Sequence, residues 1–151
     1  MTVKIKAYND KRSIKRMEKL ADDVVLSISR TLASSIVEMD SDIKTKIQTG
    51  SRSGRIYKRG LIRHKASAKN ELPKTDTGKL VSGFMFKTPR RKGSVLRASL
   101  ENRSAHAKHL EFKPKVNGGR PFMRPTFNKW KPIIAKRLSK LINKQINKYN
   151  A

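Results

Sequence analysis

Apolar residues recur at gaps of three and four from Ile14 onward: Met17, Ala21, Val24, Ile28, Leu32, Ile36, Met39, Ile43 and Ile47. That spacing keeps one face of a helix apolar, and it predicts a helix over about 11–48. Leu20, Val25 and Leu26 widen the stripe, and no Pro or Gly interrupts it. At 1.5 Å per residue the helix is roughly 55 Å long, more than a small domain can cover. One part is expected to pack on its own domain and another on a neighbouring copy. Asp40-Ser41-Asp42 offers an alternative, a break with a capped second helix. Ahead of the helix, Val3, Ile5 and Ala7 alternate with Thr2, Lys4 and Lys6, the pattern of a short strand or arm, with Asp10 as a cap. Thr49-Gly50-Ser51 ends the helix, and Gly50 suits the C′ position.

From Ser53 the helical period stops. Ile56 and Tyr57 sit among Arg55, Lys58 and Arg59, with Gly54 and Gly60 as punctuation, which predicts a basic hairpin. Ser67, Asn70 and Pro73 favour turns. Thr75 or Asp76 is placed to cap a short helical run, Lys79-Leu80-Val81. Gly83 to Thr88 and Ser94 to Leu100 read as two strands around a basic turn, Pro89 to Gly93. Ser104 is placed to cap a short helix from Ala105 to Phe112, and Lys113 to Gly119 reads as a loop. Phe127, Trp130, Ile134, Leu138, Leu141, Gln145 and Tyr149 restore the helical period over about 125–149, with Pro125 in the first turn. Tyr57, Phe84, Phe86, Phe112, Phe122 and Trp130 are expected in the core. The prediction is one α+β domain over 1–151. A small, mostly antiparallel sheet, with its hairpins over about 53–100, packs with a long N-terminal helix and a C-terminal helix, and a basic hairpin projects.

Charge changes the picture. The 151 residues hold 37 Lys and Arg against 11 Asp and Glu, a net +26. Residues 1–50 hold 10 basic and 7 acidic groups, whereas residues 51–100 hold 14 and 2. Such a chain attracts polyanions, whether nucleic acid or an acidic protein surface. Arg52, Arg55, Lys58, Arg59, Arg63 and Lys65 are the candidate DNA- or partner-facing residues, able to meet phosphates without reading sequence. Aromatic residues make up only 6% of the chain, too few for a base-stacking platform. There are no cysteines, and no apolar run approaches the roughly 20 residues needed to span a bilayer. No secretion signal is evident after Met1, so a soluble intracellular product is expected.

Catalysis finds little support. His106 and His109 lie three apart with Glu111 nearby, but no third convincing ligand accompanies them, so no metal is expected. Only Glu71 and Asp76 are acidic between Asp42 and Glu101, which leaves no carboxylate pair there for proton transfer. Asp76-Thr77-Gly78-Lys79 lacks the glycines of a phosphate-binding loop. No catalytic residue and no cofactor is expected.

Five segments in order resemble the tail-completion and head-to-tail joining proteins of tailed bacteriophages. They are Ser53-Gly54-Arg55-Ile56-Tyr57, His64-Lys65-Ala66-Ser67-Ala68, Asp76-Thr77-Gly78-Lys79-Leu80, Leu110-Glu111-Phe112 and Arg120-Pro121-Phe122-Met123-Arg124-Pro125. The resemblance runs from about residue 50 to about residue 130. Lys113-Pro114 stands where the family usually has Gly-Thr. His106 and His109 occupy a region where the family often has Tyr. The resemblance implies a virion structural protein of the tail or neck, assembled in the host cytoplasm. It implies a homo-oligomeric ring, hexameric in expectation, that meets connector or stopper and tail-tube proteins and lets double-stranded DNA pass. It implies structural roles for Gly54, Tyr57, His64, Asp76, Thr77, Gly78, Leu80, Leu110, Glu111, Phe112, Arg120, Pro121, Phe122, Arg124 and Pro125. The competing reading, from charge alone, is a free non-specific nucleic-acid-binding protein.

Overall fold

The computed structural model describes residues 11–69, 71–114 and 119–150. The strand expected at Val3–Ala7, the cap at Asp10, the turn residue Asn70 and part of the Lys113–Gly119 loop lie outside the described residues. Eight elements follow in order. They are α1 (Lys11–Thr49), β1 (Ile56–Arg59), β2 (Ile62–Lys65), α2 (Lys79–Ser82), β3 (Phe84–Lys92), β4 (Val95–Asn102), α3 (Ala107–Phe112) and α4 (Met123–Asn150). The α+β architecture stands, with its strands in two separate antiparallel ladders, β1–β2 and β3–β4.

The apolar stripe of α1 folds as one unbroken helix of 39 residues. Asp40-Ser41-Asp42 does not break it, because both carboxylates have partners within the helix: Asp40 with Lys44 at 2.7 Å and Asp42 with Lys46 at 2.9 Å. These pairs at i and i+4 support the helix they were expected to interrupt. At its end Gly50 donates its amide to the Lys46 carbonyl at 2.9 Å.

α4 lies antiparallel along α1. Asp42 meets Trp130, Ser35 meets Arg137, and Ser27 meets Gln145, so both helices step by seven or eight residues. Continued at that pace, the end of α4 falls about opposite Asp22. Beyond it the first turns of α1 overhang, with Met17 71% exposed. Pro132 sits inside α4 and withholds one amide from the helix. Packing along α1 carries the helix across it.

The core gathers where α1, the β3–β4 ladder and the start of α4 meet. Ile43, Ile47, Leu80, Phe84, Ala107 and Phe122 are buried together, and Phe84 meets Phe122 edge-to-face at 5.9 Å. Burial of each larger side chain stabilises by about 1.5–3 kcal/mol. Half the aromatic residues expected there lie elsewhere. Tyr57, Phe86 and Phe112 are exposed, Phe112 by 69%. Phe112 ends α3 and turns away from the core side that holds Ala107.

Three local expectations are corrected. The basic run Pro89–Lys92 is strand, and the turn is Gly93-Ser94 alone. The ladder slips between Lys87 and Arg90, at the proline that has no amide to give. Ser104 does not cap α3: its hydroxyl is buried with no partner among the described residues, and α3 begins at Ala107 after a turn. Neither Thr75 nor Asp76 is the N-cap of α2. Gly78 takes that place at φ 76°, and Thr75 Oγ1 accepts the Gly78 amide at 2.9 Å.

Candidate functional site

The β1–β2 ladder turns through Gly60-Leu61. Gly60 has φ 59°, as the first position of a primed hairpin turn requires. Leu61 stands at the tip, fully exposed. Opposite residues of an antiparallel pair share a face, so the register divides the basic candidates. Ile56, Lys58, Arg63 and Lys65 take one face. Tyr57, Arg59, Ile62 and His64 take the other. The six candidates are therefore not one patch. Lys58, Arg63 and Lys65 form an exposed basic face. Arg59 points to Asp76, and Arg52 borders the small cavity beside Tyr57, His64 and Asp76. Arg55 precedes the ladder and is exposed.

Asp76 is the latch for the second face. Its Oδ1 lies 2.7 Å from His64 Nδ1. Its Oδ2 accepts the Tyr57 hydroxyl at 3.0 Å and Arg59 Nη1 at 3.2 Å. The Tyr57 and His64 rings stack at 5.6 Å. Partial burial pushes the Asp76 carboxyl up, and the bonds from Tyr57 and Arg59, with the charges of His64 and Arg59, outweigh it and hold it below the ordinary range. Tyr57 is pushed up, by partial burial first and then by its bond to Asp76.

The base of the hairpin is fixed by a second carboxylate and a close backbone approach. Glu71 Oε2 accepts the Ala68 amide at 2.7 Å and the Ser53 amide at 3.1 Å. Bonds from Ser53 and Ala68 hold Glu71 below its ordinary value. Gly54 donates to the Ala66 carbonyl at 2.9 Å. A Cβ at Gly54 would lie 2.7 Å from the Ser67 carbonyl oxygen and 2.9 Å from that of Ala66, so no larger residue fits.

Ser67 carries the connection onward. It is buried, and its hydroxyl accepts Arg120 Nη1 at 3.1 Å. The Arg120 amide donates to the Leu110 carbonyl at 2.7 Å. The neighbouring Glu111 then accepts three amides at the start of α4: Phe122 at 2.8 Å and Met123 at 2.9 Å on Oε2, and Arg124 at 2.9 Å on Oε1. These are amides that a helix leaves without partners in its first turn, and a negative charge there also suits the helix dipole. Glu111 is thus a remote cap, supplied from a different element. Phe122 and Leu80 anchor the same segments in the core, with Leu110 and Met123 packed against it. Thr77, Arg124 and Pro125 are exposed, Pro121 is half-buried, and Pro125 lies in the first turn of α4.

Two further groups were not singled out by sequence reasoning. Asp42 Oδ2 accepts Trp130 Nε1 and Lys129 Nζ, each at 3.0 Å, as well as Lys46. Burial pushes Asp42 up, but those three donors bring it down to about 2. Arg137 forms a two-pronged pair with Glu38 at 2.7 and 2.9 Å, and Trp130 lies beneath its guanidinium at 5.6 Å. The signal for both is only an acidic residue on α1 beside the stripe, with no partner named by spacing.

Both oxygens of Glu111, the residue near His106 and His109, accept amides of α4. No group of three or more candidate metal ligands occurs among the described residues. No helix among them is long and apolar enough to cross a membrane. No protein-family model, curated protein or solved structure matches this chain.

Proposed function

We propose that this chain is a structural subunit of the head-to-tail junction of a tailed bacteriophage. It closes into a homo-oligomeric ring, hexameric by resemblance, that completes or joins the tail and lets DNA pass. No reaction is catalysed. One observation carries the reading: the five motif segments, spread over some 70 residues of sequence, meet in space. Tyr57, His64 and Asp76 close on one another, Ser67 holds Arg120, and Glu111 holds the backbone of Phe122, Met123 and Arg124. Those segments resemble the family's in order, and their mutual contacts give each a reason to be present. The overhanging end of α1 and the exposed hairpin tip suit a heterologous interface, which closes a ring when the rotation between copies divides a full turn.

Light scattering and electron microscopy of the purified chain test this. Annular particles of one defined mass are the expected result. In phage, removing the chain should leave heads and tails unjoined. Intact, normally joined virions without it would end the proposal.

The face formed by Lys58, Arg63 and Lys65 favours a second reading, non-specific binding of duplex DNA. A lone monomer that binds duplex tightly, with affinity collapsing as salt rises, would favour this reading over the ring.

A further inference from the structure

Among the described residues β4 is bonded on one side only. Its partner is β3, and no backbone bond joins its outer edge to another described residue. That edge borders a groove of about 1340 Å³. Successive residues Leu96 to Arg103 line it, whereas β3 contributes only Lys87, Thr88 and Arg90. A run without alternation means that the strand presents its backbone edge to the groove as well as one face. α1 forms the floor through Leu32, Ile36 and Met39, and α4 forms the far wall through Phe127 and Ile134. The volume equals about three turns of a helix 10 Å wide, more than a strand needs and ample for its side chains.

The rim is cationic. Seven Lys and Arg residues line the groove against two carboxylates. Both carboxylates are already engaged: Glu101 with Lys87 at 2.8 Å and with Arg103, and Glu111 with the amides of α4. Arg90, Arg97, Lys108 and Lys131 are exposed around the opening.

We propose that this groove receives an extended segment of a partner protein, in which apolar residues alternate with Asp or Glu. The segment adds as a third strand to β4. Its backbone meets the open edge, its apolar side chains enter the groove, and its carboxylates meet the rim. Charge opposes two stretches of a second copy as the occupant, Val3–Ala7 and α4. The strand-patterned stretch Val3–Ala7 places Lys4 and Lys6 between its apolar residues, and α4 is basic throughout. Like charges across such a rim oppose docking. The inference goes beyond the ring reading and stands whether or not the chain closes into rings.

The test is fluorescence anisotropy with the full chain. The probe is a labelled ten-residue peptide alternating Val with Glu. Its comparisons are a twin with Lys for Glu, a twin N-methylated at alternate amides, and a peptide of residues 1–10. The acidic probe should bind saturably. The Lys twin and the N-methylated twin should each bind at least tenfold more weakly. An Arg90→Glu/Arg97→Glu variant, checked for folding by circular dichroism, should lose the acidic probe to the same degree. Absence of saturable binding overturns the proposal. So does equal binding of the N-methylated twin, or tighter binding of the Lys twin or the 1–10 peptide. Light scattering on the same samples reads ring formation separately. A monomer that binds the acidic probe sinks the ring and leaves the strand site standing.

Discussion

Glu111→Gln isolates the remote cap, because it removes charge while keeping shape. Glu111 Oε2 takes the Phe122 and Met123 amides and Oε1 takes that of Arg124. A glutamine oxygen can keep the first pair, but its NH₂ group then faces the Arg124 amide, donor against donor. One bond to a charged group, worth about 1.5–3 kcal/mol, is lost outright. Two others fall from charge-assisted to neutral strength, and a favourable charge of about 0.3–1 kcal/mol leaves the helix N-terminus. Allowing for relaxation and water, the variant should be about 2–3 kcal/mol less stable, and Glu111→Ala about 3–4 kcal/mol. Urea unfolding followed by Trp130 fluorescence reads this directly. With a slope of about 2 kcal/mol per molar, the Glu111→Gln midpoint should fall by about 1–1.5 M at unchanged slope. A loss under about 0.5 kcal/mol would refute the reasoning, as the three bonds would then add nothing beyond what water supplies.

Asp42 sits at about 2 against an ordinary 3.8, so its charged form is favoured by folding. The stability it contributes, about 1–2 kcal/mol after allowing for solvent at its rim, is present above pH 4 and lost as pH falls towards 2. Asp42→Asn should flatten the acid limb of stability against pH, and an unchanged limb counts against the three-donor site. Gly54→Ala should cost about 2 kcal/mol or more, because the new methyl meets two backbone oxygens, and chemical shifts at Tyr57 and His64 should move with it. Pro132→Ala restores an amide inside α4 and should raise stability by about 1–3 kcal/mol; a lower unfolding midpoint would mean that the proline shapes α4 against α1.

What the sequence discloses depends on how far apart the interacting residues lie. The stripe from Ile14 to Ile47 is a local period, and it gives α1 almost to the residue. Hairpin turns at Gly60 and Gly93 are local too. The length of β3 was harder to read, because Arg90, Arg91 and Lys92 look like a solvated turn. They are strand because neighbouring residues of β4 bond to them. Asp76 reads as a cap from its neighbours, but its donors Tyr57 and His64 come from another element. Glu111 likewise looks like a third member of a histidine cluster until α4 is placed beside it. Trp130 was legible as core, yet its indole donor reaches Asp42, 88 residues away. In each case the residue type was informative and the partner was not, since a partner distant in sequence leaves no periodic trace.

The end of α1 beyond α4 has a consequence for how the molecule gauges its own company. Past the reach of α4, a helical end with Ile14 and Met17 exposed gains little from apolar packing and so unwinds readily. Crowding against another particle that shelters Ile14 and Met17 would wind it up. Ellipticity at 222 nm should then climb with protein concentration, and that rise would count occupied neighbours before any particle is imaged.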